Sequence, residues 1–199
     1  MGLILIMFDT LRSHINRKIQ LSESEFALVT TFFIPKKLRK KQYLLLAGDV
    51  CKYLAFVSNG CLRSYSVNDK GEEHIVQFAI EDWWMTDLKS FLTNEPATYN
   101  IDALEDTELF LIDKESQDKL YSVMPKIEHY FRILLEGNNT AAQKRISDFI
   151  SASAEERYLN FLKTYPELVQ RVPQSQIASY LGIKPQSLSR IRKELSEKK

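Results

Sequence analysis

The stretch that most constrains what this chain can fold into is Val172 to Leu195, VPQSQIASYLGIKPQSLSRIRKEL. Ile177 and Leu181 stand four apart and share one helix face, while Leu188, Ile191 and Leu195 recur at three and four and form a second stripe. Two apolar stripes so close in sequence must meet in one small core. Ala178 is small where two backbones approach, Gly182 can supply the positive φ of a tight turn, and Ile183 follows as a buried turn residue. The spacing predicts two short helices joined by a tight turn, a helix-turn-helix.

With Leu188, Ile191 and Leu195 facing inward, a rotation of about 100° per residue puts Gln186, Ser189, Arg190 and Lys193 on the opposite side. These side chains suit double-stranded DNA. Arg pairs bidentately with guanine, Gln with adenine, and Lys and Ser hold phosphates. A solvated face on an ordinary helix pair would have the same composition, but the Ala and Gly punctuation favours DNA. Lys184, just before Pro185, takes the N-cap position, where it cannot satisfy the free amides as Ser or Asp would. Those amides, with Lys184 beside them, can meet a phosphate. The candidate DNA-contacting set is Lys184, Gln186, Ser187, Ser189, Arg190 and Lys193.

The charge distribution agrees. The formal net charge of +1 over 199 residues hides an acidic middle, with 11 acidic and 2 basic residues from Glu81 to Asp118, and a basic tail, with 7 basic and 2 acidic from Arg171 onward. Only the tail is expected to meet a polyanion. At 44% hydrophobic content the chain can bury one or two cores, and two modest domains fit better than one. Cys51 and Cys61 lack a CxxC partner or a nearby His, so they read as small buried residues in a reducing cytoplasm rather than a disulfide or metal site. The opening MGLILIMF is too short to span a membrane and has no basic flank, which predicts neither insertion nor export. The role of residues 1–6 stays open.

Along the chain, residues 7–34 read as helical, with a Ser22/Glu25 capping box and Pro35 ending the run. KKLRKK, residues 36–41, holds five basic residues in six and reads as a solvated connection before the first strand, with a nucleic-acid patch as the alternative. From Tyr43 the period becomes that of antiparallel strands separated by Gly-Asp, Asn-Gly and Asn-Asp turns, with further strands at 74–80, 99–103 and 108–113. Six to eight short strands predict a β-roll. Pro125 then opens a helix of about 39 Å at 1.5 Å per residue, with Ile127, Phe131, Leu134, Asn138, Ala141, Arg145 and Asp148 on one stripe and Tyr130, Leu135, Ala142 and Ile146 alongside. Ser151-Ala-Ser-Ala reads as a hinge. The expected fold class is α+β: N-terminal helices and an antiparallel β-roll in residues 1–124, a long helix in 125–150 and a helix-turn-helix domain in 151–199.

The Gly48-Asp49 turn, Cys51, the Leu54 to Val57 run and Gly60 resemble the opening of the cyclic-nucleotide-binding β-roll, and the tail resembles the Crp/Fnr helix-turn-helix. The likeness covers roughly residues 20 to 195 in the right order, and QIASYLGIKPQSLSRIRKEL looks most like the Bacteroidetes branch of that family. The resemblance implies a cytoplasmic homodimer that pairs through the long helix (Ile127, Phe131, Leu134, Asn138, Ala141), binds DNA and addresses RNA polymerase. It also implies an effector pocket at Thr86, Asp87, Leu88, Thr98 and Tyr99. Here the chain departs from the family pattern. Ala97 stands where a cyclic-AMP pocket carries its phosphate-binding Arg, and no Arg lies between Arg63 and Arg132, so cyclic AMP is not expected to bind tightly. Trp83, Trp84, Phe78, Phe91 and Tyr99 could line an apolar pocket but read more readily as core, and His74 reads as a surface residue rather than a haem or metal ligand. No Cys precedes Cys51, which argues against the iron-sulfur, oxygen-sensing branch, and no cofactor is evident. The sequence runs four residues past Leu195, so a full wing after the second helix is not expected.

The leading expectation is a DNA-binding transcription regulator with an unidentified effector. The alternative is a small-molecule-binding module whose helix-turn-helix mediates protein contact. No catalytic constellation supports an enzyme. Operator sequence and the sign of regulation cannot be read from the residues.

Overall fold

A computed structural model describes residues 8–197; the opening apolar segment up to Met7 and the last two lysines lie outside it. Two short helices come first, α1 (Asp9–Asn16) and α2 (Glu23–Thr30). Ser22 caps α2 through a complete capping box with Glu25. The single helical run expected for residues 7–34 is therefore broken by a turn at residues 17–22, and its end is already strand.

Eight strands follow, β1 (Ile34–Leu38), β2 (Tyr43–Leu45), β3 (Tyr53–Asn59), β4 (Leu62–Val67), β5 (Glu73–Ala79), β6 (Trp84–Met85), β7 (Asn100–Ala103) and β8 (Thr107–Asp113), with helix α3 (Leu88–Thr93) between β6 and β7. They form two four-stranded antiparallel sheets, in the orders β1-β8-β3-β6 and β2-β7-β4-β5. KKLRKK is not wholly a connection: its first three residues belong to β1, which pairs from Ile34 opposite Leu111 to Leu38 opposite Thr107. Four of the five β1 side chains are exposed, so the backbone ladder and the buried Leu38 hold this edge strand.

Alternation along the inner strands divides the core. Ala55 and Val57 of β3, with Leu109 and Leu111 of β8, point into the roll against Leu62, Met85, Phe91 and Ile101. Phe56, Phe110 and Ile112 point the other way, onto α1, α2, helix α4 (Lys114–Val123) and the first turns of helix α5 (Pro125–Ser151). Because these strands are buried on both faces, they read in sequence as unbroken apolar runs. Cys61, Tyr65, Ile75 and Phe78 project from the second sheet into a third core shared with the C-terminal helices.

Helix α5 begins with Pro125 at its first turn and ends where Ala152 turns extended (φ −94°, ψ 144°). Ser153 then caps α6 (Ala154–Thr164) with a second capping box, to Glu156. The short α7 (Leu168–Arg171), α8 (Gln174–Leu181) and α9 (Pro185–Glu197) complete the described chain. Among the described residues no helix is long and apolar enough to cross a membrane.

Candidate nucleic-acid interface and effector cassette

The pair α8–α9 is held by the residues whose spacing predicts it. Ile177, Ala178, Leu181, Ile183, Leu188 and Ile191 are all buried. Gly182 ends α8 at φ 61°, and a Cβ there would lie 2.4 Å from Cε1 of Phe149 in α5, so both the backbone conformation and the available space demand glycine. Opposite this core, Lys184, Gln186, Ser189, Arg190 and Lys193 are exposed and Ser187 is half-buried. Arg190 Nε lies 3.7 Å from Glu194 and Lys193 Nζ lies 3.9 Å from Glu197. Exposed pairs this loose contribute only about 0.3–0.5 kcal/mol, so either cation can exchange its carboxylate for a phosphate.

Several side chains whose partners lie far away in the sequence fasten this helical unit to the roll. Ser179 Oγ accepts from Ile75 N–H at 3.0 Å and donates to Glu73 O at 3.1 Å, satisfying the free edge of β5. Arg145 Nη1 donates to Val76 O at 2.5 Å, and its guanidinium lies 5.1 Å from the centre of the Tyr180 ring. Arg171 grips Glu81 bidentately at 2.7 and 3.0 Å and also reaches Glu105. Burial tends to raise the Glu81 carboxyl, but Arg171 and the Gly60 N–H outweigh it and hold it below the usual carboxylate range. Trp83 meets Tyr165 edge-on at 5.3 Å, and Phe78 lies 5.4 Å from Tyr180. Only the aromatic content of these contacts is visible in the sequence, since each pair joins residues far apart in it.

The expected effector residues surround α3. Asp87 is buried, and its carboxylate accepts the backbone N–H groups of Ser90 at 3.1 Å, Thr98 at 2.9 Å and Tyr99 at 3.4 Å. Asp87 thus ties the backbone at Thr98 and Tyr99 to the start of α3. The Thr86 hydroxyl donates to Tyr53 O at 3.2 Å, Leu88 and Thr98 are exposed, and Tyr99 is half-buried. The apolar side chains of Met85, Phe91, Ala97 and Ile101 fill the space behind them. The guanidinium of Arg63 is locked to Asp102 at 2.7 and 2.9 Å and so cannot serve a ligand phosphate in place of Ala97. Trp84 is core, donating through Nε1 to Tyr130 Oη at 3.0 Å.

Along α5, Ile127 and Phe131 are buried in the chain's own core and Leu134 packs against it, so the first turns of the expected stripe pack onto the roll. The roll covers this part of the helix. Beyond it, Asn138 and Ala141 are exposed, as are Leu135 and Ile146, at 51% and 60%. Leu135, Asn139, Ala142, Ile146 and Phe149 repeat at four, three, four and three, one position away from the expected stripe.

Comparison with known proteins adds three findings. Residues 35–123 match the cyclic nucleotide-binding domain. The regulatory protein HlyX of Actinobacillus pleuropneumoniae is 26% identical over 185 residues, covering 86% of this chain and 75% of that protein, and the fumarate and nitrate reduction regulatory protein of Vibrio cholerae is 27% identical over 185 residues, covering 86% and 72%. The fold of FixK2 from Bradyrhizobium japonicum superposes with a TM-score of 0.71 at 18% identity, covering 83% of this chain and 85% of that one.

Proposed function

We propose that the chain is a regulator of the Crp/Fnr type, a homodimeric transcription factor reading a two-fold symmetric DNA site. In this reading residues 125–150 pair the two subunits and residues 151–199 bind DNA. Gln186, Ser189 and Arg190 read base edges, while Lys184, Ser187 and Lys193 hold phosphates. RNA polymerase is the further partner. The observation that carries the proposal is the face of α9, which exposes base-reading and phosphate-binding side chains directly opposite a closed helix-turn-helix core. The roll of residues 1–124 acts on this unit through the Arg171, Ser179 and Arg145 contacts, with a signal other than cyclic AMP, since its Asp87 cassette is satisfied internally and has no free Arg.

Selection of bound sequences from random DNA supplies the operator for the test. Arg190→Ala should then cost about 1–3 kcal/mol and relax preference at one base position, whereas Lys193→Ala should weaken all sequences alike and lower the salt slope by roughly 1. Wild-type behaviour of both variants would show that α9 does not lie in the groove.

A further inference from the structure

His14 is a titratable group that neither the DNA-binding face nor the effector cassette uses. It is buried on α1 between the rings of Phe56 in β3 and Tyr130 in α5, which stand edge-on at 5.5 and 5.8 Å. Its Nδ1 lies 2.9 Å from Asp82 Oδ1, and since a carboxylate oxygen only accepts, Nδ1 carries the proton of the neutral ring. Nε2 is then the bare nitrogen, and among the described residues it has no hydrogen-bond partner. Uptake of a proton puts an N–H on Nε2 in an aromatic slot that offers it no acceptor.

The groups that face the ring leave little room for a second charge. Its own helix supplies Arg17, whose Nη2 lies 3.3 Å from Nδ1 and which already pairs with Asp82, and Lys18 beyond it. The turn between β5 and β6 supplies Asp82, β3 supplies only the apolar Phe56, and α5 supplies Tyr130, whose hydroxyl accepts the Trp84 indole N–H at 3.0 Å and is kept protonated by burial. Burial lowers the pKa of His14 against the pull of Asp82, so the proton arrives on the acid side of 6.5. Asp82 itself sits at φ 74°, where asparagine or glycine is more comfortable, and a residue held there persists because its surroundings over-determine it. His14 is one of those constraints. The others are the Asp82 N–H donated to Val57 O at 2.9 Å and the neighbours on either side, Glu81 bound to Arg171, Trp83 against Tyr165 and Trp84 bound to Tyr130.

We propose that His14 is a proton-operated latch: protonation expels the imidazole from between Phe56 and Tyr130, loosens the turn at residues 81–84 and weakens the grip on the operator. The ring leaves and the helix stays, because Leu11 and Ile15 are fully buried on α1 and two such side chains outweigh what one proton supplies. Once outside the slot, the imidazolium competes with Arg17 for one carboxylate, so Asp82 loses its fixed partner. The space left beside Tyr130 lets Trp84 and the start of α5 repack, while the freed turn loosens Glu81 on Arg171 and Trp83 on Tyr165. The last step, to the operator, rests on the DNA-binding reading above; the expulsion of the ring does not.

Trp83 and Trp84 are the chain's two tryptophans and both lie on this turn, so indole emission reads the latch without any DNA. The test titrates the full chain from pH 7.5 to pH 5.0, following emission, far-ultraviolet circular dichroism and, by fluorescence anisotropy, affinity for the selected operator. The wild type should show one emission step below pH 6.5 at constant dichroism and lose about tenfold in affinity, within the limit of about tenfold per pH unit that one proton sets. His14→Gln has no proton to exchange and should lose both changes; the exposed His74 and His129 are present in both proteins, so their charges cancel in the comparison. Asp82→Asn, whose side chain suits the left-handed backbone, removes the charge that favours the imidazolium and should move the step to lower pH. That displacement decides the matter if His14→Gln fails to fold. A step or an affinity change that persists in His14→Gln, a step that stays in place in Asp82→Asn, or one that comes with loss of dichroism overturns the proposal. So does a wild type with no step, or with a step that leaves operator affinity unchanged. A wild type that binds no duplex at any pH removes the DNA-binding reading instead, and the emission step still judges the expulsion of the ring.

Discussion

His14 is a buried imidazole whose pKa lies below its ordinary value. Its Nδ1 lies 2.9 Å from Asp82 Oδ1, its Nε2 is buried without a hydrogen-bond partner, and the rings of Phe56 and Tyr130 stand edge-on at 5.5 and 5.8 Å. Burial pulls its pKa down, Asp82 pulls it up, and burial prevails. A pKa lowered in the folded state means that the unfolded chain binds the proton more readily. This contribution to stability is whole above the ordinary value of 6.5 and declines as pH falls through 6.5 toward the folded value. The carboxyls with lowered pKa do not interfere in that window: Glu25, held by Lys126 at about 2, and Glu81 and Glu156 start from 4.5 and act below it. Urea unfolding should therefore show a lower midpoint at pH 5.5 than at pH 7.5 in the wild type and a smaller difference in His14→Gln, with a ceiling of about 1.4 kcal/mol for each pH unit spanned. An equal loss in both proteins would place the titration elsewhere.

Among the elements, the four residues from Glu81 to Trp84 tie the roll to three helical regions at once. Glu81 holds Arg171, Asp82 holds His14 and Arg17, Trp83 meets Tyr165, and Trp84 donates to Tyr130 of α5. The segment runs straight on, through β6, to Thr86 and Asp87. A shift at the cassette has a short path to α1, α5 and the DNA-binding unit alike. Arg171→Ala should leave the half-buried Glu81 without a counter-charge, held only by the Gly60 N–H, at a cost of about 1–3 kcal/mol, and let the unit swing about residues 151–153. Limited proteolysis should cut faster there, and an unchanged cleavage rate would mean that the apolar core shared by roll and helices holds the unit without the clamp. None of these links was legible in the sequence, because each joins residues dozens of positions apart. The legible features were local ones: the Ser22/Glu25 box, the turn at Gly182, and strands whose apolar runs reflect burial on both faces. The edge strand β1 escaped because all its side chains but Leu38 are exposed and its evidence lies in a backbone ladder to β8. The internal donors to Asp87 escaped because Thr98 and Tyr99 approach it only after the chain has folded back.

At the scale of the whole molecule, the phase of one helix decides how two chains would meet. The stripe predicted on α5 began at Ile127, but the roll takes Ile127 and Phe131 into its own core and leaves the next face open, with Leu135, Ile146 and Ile150 exposed at 51%, 60% and 83%. A monomer would keep this apolar seam in water over much of the helix, whereas a two-fold pair would bury it in the four-three pattern of a coiled coil. The same pairing would set two α9 helices about 34 Å apart, matching successive major grooves. The two faces respond to substitution in opposite ways. Phe131→Ala should cost about 3–5 kcal/mol of stability through the cavity it leaves and keep the subunits paired. Ile146→Asp should fold normally, sediment as a monomer, and lose about 10²- to 10⁴-fold in affinity for the full operator, because the second half-site would no longer be captured at high effective concentration. Its affinity for a single half-site should be unchanged. A dimeric Ile146→Asp that binds the full operator like the wild type would place the subunit contact off this seam and leave the exposure of Ile150 without an explanation.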